Sequence, residues 1–187
     1  MDALEAITRR RSIKKFTDRV PTREEIEQLL RAAVHAPNHR MTEPWRFYVL
    51  GPRARWGYGE ALGRRKAKRV EDPEAAEMVV QKVAGEHESL PAMLAVAITQ
   101  HENPEIREED YASALMAVQN LSLAALTMGL GAHIKSGGVM TDPAARSAVG
   151  VQTDERIVAI VNLGEPAEVP EAKARKDAAE FTTWVDL

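Results

Sequence analysis

The spacing of apolar residues along the chain separates helical segments from extended ones. After Thr22 the apolar side chains recur with the period of a helix: Ile26, Leu29, Leu30, Ala33 and Val34. This period predicts a helix with one buried face. Thr22 and Glu25 have the spacing of a capping box at its start, and Pro37 is expected to end it.

Four runs rich in apolar and β-branched residues have the length of strands: residues 45–50, 93–98, 131–136 and 156–164. The run at 93–98 is apolar throughout, which is typical of a strand buried on both faces. Helical segments alternate with these runs, at residues 2–9, 53–69, 74–88 and 107–128 and after Pro143. The pattern predicts an α+β fold in a single domain, residues 1–187, with a mixed sheet of four or five strands flanked by helices.

Two apolar features have no obvious cover within so small a domain. Residues 114–128, in the longest predicted helix, are apolar or small on nearly every face. A helix without a polar face must be covered on all sides, and a partner subunit is one candidate cover. The tail after Pro166 is polar except for Phe181 and Trp184, which we expect to bury against a surface of this chain or of a partner.

Composition narrows the classes of function. The 187 residues are 44% apolar and 28% charged, a globular balance, and the net charge of −3 predicts no nucleic-acid partner. The absence of cysteine excludes thiol catalysis, disulfides and Cys-ligated metal centres. An acidic N-terminus and the lack of a membrane-length apolar run predict a cytoplasmic protein without a membrane partner.

Several common ligand motifs are missing. The sequence has no P-loop, and the glycines at 129–131 follow a helix instead of a strand, so we predict no dinucleotide-binding fingerprint. His35 and His39 have the spacing of helical metal ligands, but Pro37 between them disrupts the helix, and we predict no metal site. The five cations within residues 64–69 are predicted to form a solvated helix face.

Three separated segments could bind a ligand. The first combines two guanidiniums, a hydroxyl and an ammonium: Arg10, Arg11, Ser12 and Lys14. This donor set suits a phosphate monoester, although a basic helix end would look the same. The second, residues 36–45, is a polar loop anchored by a proline near each end. The third, residues 134–138, ends a strand in two glycines that would admit a flat ligand or simply form a turn.

Together these segments resemble the nitroreductase family of FMN flavoproteins. Residues 10–16 are similar to that family's RRS-x-[RK]-x-F motif, and residues 36–45 to its AP-(seven residues)-PW motif. Residues 129–137 resemble its strand-end flavin contact, and residues 173–184 resemble its C-terminal basic motif. The resemblance spans nearly the whole chain and is closest to short, minimal members. It implies a three-layer fold and an intertwined homodimer with FMN at the subunit interface.

According to the resemblance, residues near both ends of the chain would bind the phosphate of FMN. Arg10, Arg11 and Ser12 would bind the phosphate and the ribityl chain of FMN. Arg175, together with Lys173, would close over the phosphate.

Other residues are expected around the isoalloxazine ring. Lys14 would lie near its pyrimidine edge, where a cation stabilises the reduced flavin. Four residues at the strand end would line the ring near N5: Ile134, Lys135, Ser136 and Gly137. His35 and His39 would reach the flavin of the other subunit. Met41 and Glu43 depart from the family pattern, which commonly has Asn and Gln at these positions.

The implied activity is that of an NAD(P)H:acceptor oxidoreductase with ping-pong hydride transfer through flavin N5. Nitroaromatics or quinones would be acceptors, and no side chain is expected to act as a nucleophile. The choice between NADH and NADPH stays open. Two alternative reactions, ene reduction and dehalogenation, also stay open, and residues 53–90 would then form a lid. The protein could also be a non-catalytic flavin-binding protein or a structural dimer without cofactor.

Overall fold

The fold is built on a four-stranded sheet in which every pair of neighbouring strands is antiparallel. The computed structural model of the chain describes residues 1–186. Its strands are β1 (Trp45–Val49), β2 (Ala92–Thr99), β3 (Gly131–Lys135) and β4 (Glu155–Gly164), in the order β1-β2-β4-β3. The prediction of a mixed sheet is therefore wrong for these strands. Parallel pairing is confined, within the described residues, to an isolated bridge between Ser12 and Ala132 beside β3.

Helices cover both faces of this sheet, which confirms the predicted three-layer α+β fold. They are α1 (Ala3–Arg9), α2 (Arg23–Ala33), α3 (Pro52–Ala67), α4 (Pro73–Glu88), α5 (Pro104–Thr127) and α6 (Pro143–Val149). Helices α2 and α5 pack on one face, and α3 and α6 pack on the other, with α4 against α3. The predicted capping box of Thr22 and Glu25 is present, but α2 ends at Ala33, earlier than Pro37.

Strand β2 shows why the sheet needs two helical layers. Its residues 92–98 are all buried, as predicted from their uninterrupted apolar run. Leu94, Val96 and Ile98 belong to the core beneath α2 and α5. Met93, Ala95 and Ala97 belong to the core beneath α3 and α6. Because successive side chains of a strand point to opposite faces, an apolar residue at every position requires cover on both.

Glycines allow α3 and α4 to pack backbone against backbone. A β-carbon added at Gly63 would lie 2.7 Å from the Cα of Val80, and one at Gly59 would lie 2.8 Å from the Cα of Ala84. Both predicted helices between residues 53 and 88 are confirmed. None of the helices in residues 1–186 combines the length and the apolar character needed to cross a membrane.

This chain alone leaves part of its apolar surface uncovered. Leu115 and Met116 on α5 are 38% and 40% exposed, and eight of the 24 residues of that helix are buried. The cover on all sides that its composition requires is therefore incomplete in a single chain. Phe181 and Trp184 in the tail are 74% and 76% exposed. This chain alone therefore does not cover the two aromatic residues, and their burial against a partner stays a prediction.

Candidate functional site

The first candidate segment lies beside β3, the strand whose end forms the third candidate segment. The backbone N–H of Ile13 donates to the carbonyl of Ala132 across 3.1 Å. A β-carbon on Gly131 would lie 2.5 Å from Cγ1 of Ile13, so this approach requires a glycine there. Ser12 thus lies beside β3, and Lys14 comes close enough to His133 for its charge to matter. Burial lowers the pKa of His133, and the ammoniums of Lys135 and Lys14 lower it further.

Arg10 and Arg11 are half-buried and line a small cavity of about 40 Å³ between this segment and α5. The Nη1 of Arg11 donates to the carbonyls of Thr8 and Arg10, at 2.7 and 3.0 Å. Within residues 1–186 neither guanidinium forms an ion pair with a carboxylate. Two arginines without acidic partners, next to the Ser12 hydroxyl, are a donor set that fits a phosphate dianion.

The C-terminal segment begins beside these residues and then leaves them. The backbone N–H of Ala167 donates to the carbonyl of Lys15 at 3.0 Å, and the Lys15 ammonium pairs with Glu168 at 2.6 Å. Lys173 and Arg175 lie beyond this contact in an exposed, irregular stretch. Across the described part of the chain, no hydrogen bond joins either of them to the N-terminal arginines. The structure therefore does not bring the two halves of the expected phosphate site together in one chain.

The second candidate segment is fastened to α5 by side-chain contacts. The Asn38 amide donates to Oγ of Ser113 at 3.3 Å, and its Oδ1 accepts the backbone N–H of Glu43 at 2.8 Å. Met41 and Glu43 adopt left-handed backbone conformations, with φ of 49° and 44°. Such conformations cost energy for non-glycine residues and concentrate at ligand sites. The two departures from the family pattern are thus also the two strained residues of this loop.

His35 and His39 are exposed and lie beyond the end of α2. The Nδ1 of His39 is 3.0 Å from a carboxylate oxygen of Glu109 on α5. Among residues 1–186 no group of His, Cys, Asp or Glu is arranged to hold a metal ion. Neither histidine approaches the basic segment of its own chain through a hydrogen bond.

The residues at the end of β3 point in different directions. Ile134 packs against the core beneath α2 and α5, whereas Lys135 faces α4. The Lys135 ammonium donates to Nε2 of the buried His87 at 3.0 Å, and Nδ1 of His87 donates to the carbonyl of Val83 at 2.7 Å. This arrangement holds His87 as the neutral tautomer that carries its lone pair on Nε2.

Burial and neighbouring charge both act on this pair. Burial lowers the pKa of Lys135, and the ammonium of Lys66 lowers it further. Burial is also the main cause that lowers the pKa of His87, and the charges of Lys135 and Lys66 add to it.

The glycine turn after β3 is contacted by α3. Gly137 has a φ of 144°, which favours glycine, and Ser136 beside it is exposed. A β-carbon added at Gly138 would lie 2.7 Å from Nη2 of Arg65. Arg65 is exposed, as predicted for a solvated basic face, and its guanidinium also reaches over this turn. Arg64 on the same face pairs instead with Glu60 of its own helix at 2.6 Å.

Arg65, Lys66 and His87 were not singled out by the sequence as site residues. Lys135 and His87 are 48 residues apart, and no local spacing signals their contact. A cavity of about 300 Å³ contains no predicted site residue. It is lined by Ile98, Gln100, Pro104, Arg107, Glu108, Tyr111 and Arg156.

The chain is similar in sequence to known proteins over most of its length. It is 35% identical to the candidate NAD(P)H nitroreductase YfhC of Bacillus subtilis over 170 residues, which cover 90% of this chain and 87% of the relative. It is 30% identical to the candidate NAD(P)H nitroreductase YdjA of Escherichia coli over 167 residues, or 89% of each chain.

Solved structures share the fold. A nitroreductase-like family protein from Bacillus cereus superposes with a TM-score of 0.86 at 28% identity, covering 100% of this chain and 97% of that chain. The FMN- and NADPH-dependent nitroreductase NfnB from Sphigopyxis sp. superposes with a TM-score of 0.77 at 21% identity, with full coverage of both chains. The model of the nitroreductase family matches residues 7–165, which contain the basic segment, the strained loop and the whole sheet. The chain belongs to the nitroreductase family.

Proposed function

We propose that this protein is an FMN-dependent NAD(P)H:acceptor oxidoreductase that works as a homodimer, with each flavin bound at the subunit interface. The proposal depends on one observation: Arg10 and Arg11 lie next to Ser12 at the edge of β3, and neither guanidinium pairs with a carboxylate of residues 1–186. FMN would supply hydride exchange at N5, and the FMN dependence of the neighbour NfnB supports this choice. The protein's own part is to bind, orient and electrostatically stabilise the cofactor.

The residues present fit FMN, with separate groups of residues for its phosphate and for its isoalloxazine ring. Arg10, Arg11 and Ser12 would bind the phosphate, and Lys14 would lie at the pyrimidine edge, since it follows Ser12 in the chain and its charge acts on His133 of β3. The exposed backbone of Ser136 and Gly137 would contact the ring. Ile134 and Lys135 would contribute through their backbone, because their side chains are turned to the core and to His87.

A second subunit would complete each site. Leu115 and Met116 on α5, and the tail aromatic residues Phe181 and Trp184, need cover that this chain does not provide. In the proposed homodimer the exposed His35 and His39 reach the partner's flavin, and Lys173 and Arg175 close on a phosphate from a tail that packs across the interface. A two-fold dimer then contains two equivalent composite sites.

Three measurements test the proposal. The purified protein should be yellow, and extraction should release FMN. Anaerobic mixing with NADH or NADPH should bleach the flavin, and a nitroaromatic or a quinone should restore its colour. Charge-assisted hydrogen bonds contribute roughly 1.5–3 kcal/mol each, so riboflavin should bind at least tens of times more weakly than FMN. Equal affinity for the two flavins would show that Arg10 and Arg11 do not bind a phosphate.

A further inference from the structure

Three cations from two elements converge at the end of β3. The guanidinium of Arg65 lies over Gly138, where an added β-carbon would come within 2.7 Å of Nη2. Lys135 extends from the strand itself and is fixed by its 3.0 Å hydrogen bond to His87. Lys66, next to Arg65 on α3, is close enough to Lys135 and His87 for its charge to act on both. We call Arg65, Lys66 and Lys135 the β3-end cation cluster.

The positive charge of this cluster is poorly compensated. Among the ion pairs of residues 1–186, none includes a member of the cluster. Glu86 is the acid whose charge acts on Lys135, and His87 is held neutral. Arg64 differs, since Glu60 neutralises it on the helix surface. Complementing the helix dipole would explain cations anywhere on the last turn of α3, but it does not explain why Arg65 is turned onto the glycine turn of the sheet.

We propose that the β3-end cation cluster binds the phosphate groups of the reduced nicotinamide dinucleotide. The inference rests on the proposed function, in which the reacting edge of the flavin lies at this end of β3. A donor that delivers hydride there carries its diphosphate only one ribose away from the nicotinamide ring. A guanidinium and two ammoniums match the oxygens of a phosphate, and Arg65 and Lys66 are exposed and open to a ligand.

The test compares electron donors that share a ring but differ in phosphate. Arg65→Gln and Lys66→Gln are assayed by the rate of flavin bleaching with NADH, with NADPH and with uncharged 1-benzyl-1,4-dihydronicotinamide. Losing a charge-assisted contact should raise the half-saturating concentration of a phosphate-bearing donor roughly tenfold or more. The uncharged donor should bleach the flavin of each variant at the wild-type rate. Arg64→Gln is the matched control and should behave as the wild type with all three donors. Calorimetric titration with NAD⁺ and NADP⁺ gives the same comparison at equilibrium, without turnover.

Each outcome decides a point. A loss with both dinucleotides assigns the cluster to the diphosphate, and a loss with NADPH alone assigns it to the 2′-phosphate. Equal losses with the uncharged donor, no loss at all, or release of FMN from the Arg65 variant would overturn the proposal. If no donor bleaches the wild-type flavin, the proposed function fails. The calorimetric comparison of wild type with Arg65→Gln then still decides whether the cluster binds these phosphates, and equal affinities would overturn it.

Discussion

The ammonium of Lys135 and the buried imidazole of His87 form a 3.0 Å hydrogen bond that joins the end of β3 to α4. His87 accepts this bond only while it is neutral, because its other nitrogen is committed to the carbonyl of Val83. The contact therefore depends on a titratable group whose pKa is lowered chiefly by burial.

The stability of the protein should depend on His87 below neutral pH. Since the folded-state pKa of His87 is lowered, the unfolded chain takes up a proton first as the pH falls. The free energy of unfolding should then decrease as the pH drops below about 6.5, the ordinary pKa of histidine. His133, whose pKa is also lowered, contributes in the same direction. His87→Gln is unable to titrate, so urea unfolding should show a smaller loss between about pH 7.5 and 5.5 than in the wild type. His101→Gln, at an exposed position, is the control, and parallel curves for all three proteins would contradict the assignment.

Lys14 and Lys15 are a matched pair for testing whether a lysine raises the reduction potential of the bound flavin. The charge of Lys14 acts on His133 of β3, whereas Lys15 pairs with Glu168 at 2.6 Å. Lys14→Met should lower the two-electron reduction potential of bound FMN, because the reduced flavin loses a stabilising cation. Lys15→Met should leave the potential unchanged. Spectroelectrochemistry with FMN retained in both variants makes the comparison, and equal potentials would show that Lys14 does not face the flavin.

Gly63→Ala should destabilise the protein, because its β-carbon would lie 2.7 Å from the backbone of Val80 in α4. Overpacking of this kind costs roughly 1–3 kcal/mol. Gly85→Ala in α4 is the control: nothing lies within 4 Å of its added β-carbon, and the change should stabilise by roughly 0.5–1 kcal/mol. Opposite signs in urea unfolding are expected, and a stabilised Gly63 variant would contradict the close packing.

Met116→Glu should weaken the proposed dimer by placing a charge in the exposed apolar part of α5. Sedimentation should show a shift towards monomer, and the flavin content should fall with it if each site needs both subunits. Met78→Glu, on α4 and 72% exposed, serves as the control and should leave the assembly unchanged. A Met116 variant that sediments as the wild type would place the interface elsewhere.

Refolding two inactive variants together should restore activity if each flavin is shared. Arg10→Glu and His39→Glu would each damage both sites of their own homodimer. Random pairing makes half of the dimers mixed, and each mixed dimer then has one doubly damaged site and one intact site. About a quarter of wild-type activity should return by this symmetry. A mixture no more active than its parents, with both variants folded and dimeric, would refute the shared site.

The elements were predictable from the sequence because burial on one or two faces imposes a local period. The apolar run of β2 and the capping box of α2 are examples. The relative direction of the strands was not predictable from the sequence. A helix between two strands usually joins parallel neighbours, yet β3 and β4 are antiparallel although α6 lies between them. The pairing of Lys135 with His87 was equally hidden, since it depends on which face of β3 meets α4.

The glycine contacts between α3 and α4 make these two helices a single rigid unit. With Gly59 and Gly63 pressed onto the α4 backbone, neither helix can slide along the other without a steric clash. Arg65 and Lys66 on one helix and His87 on the other must then shift together, while Lys135 stays with the sheet. The hydrogen bond of Lys135 to His87 thus adds a polar tie between α4 and the sheet to the apolar packing of α3, and it must break if α4 moves away from β3.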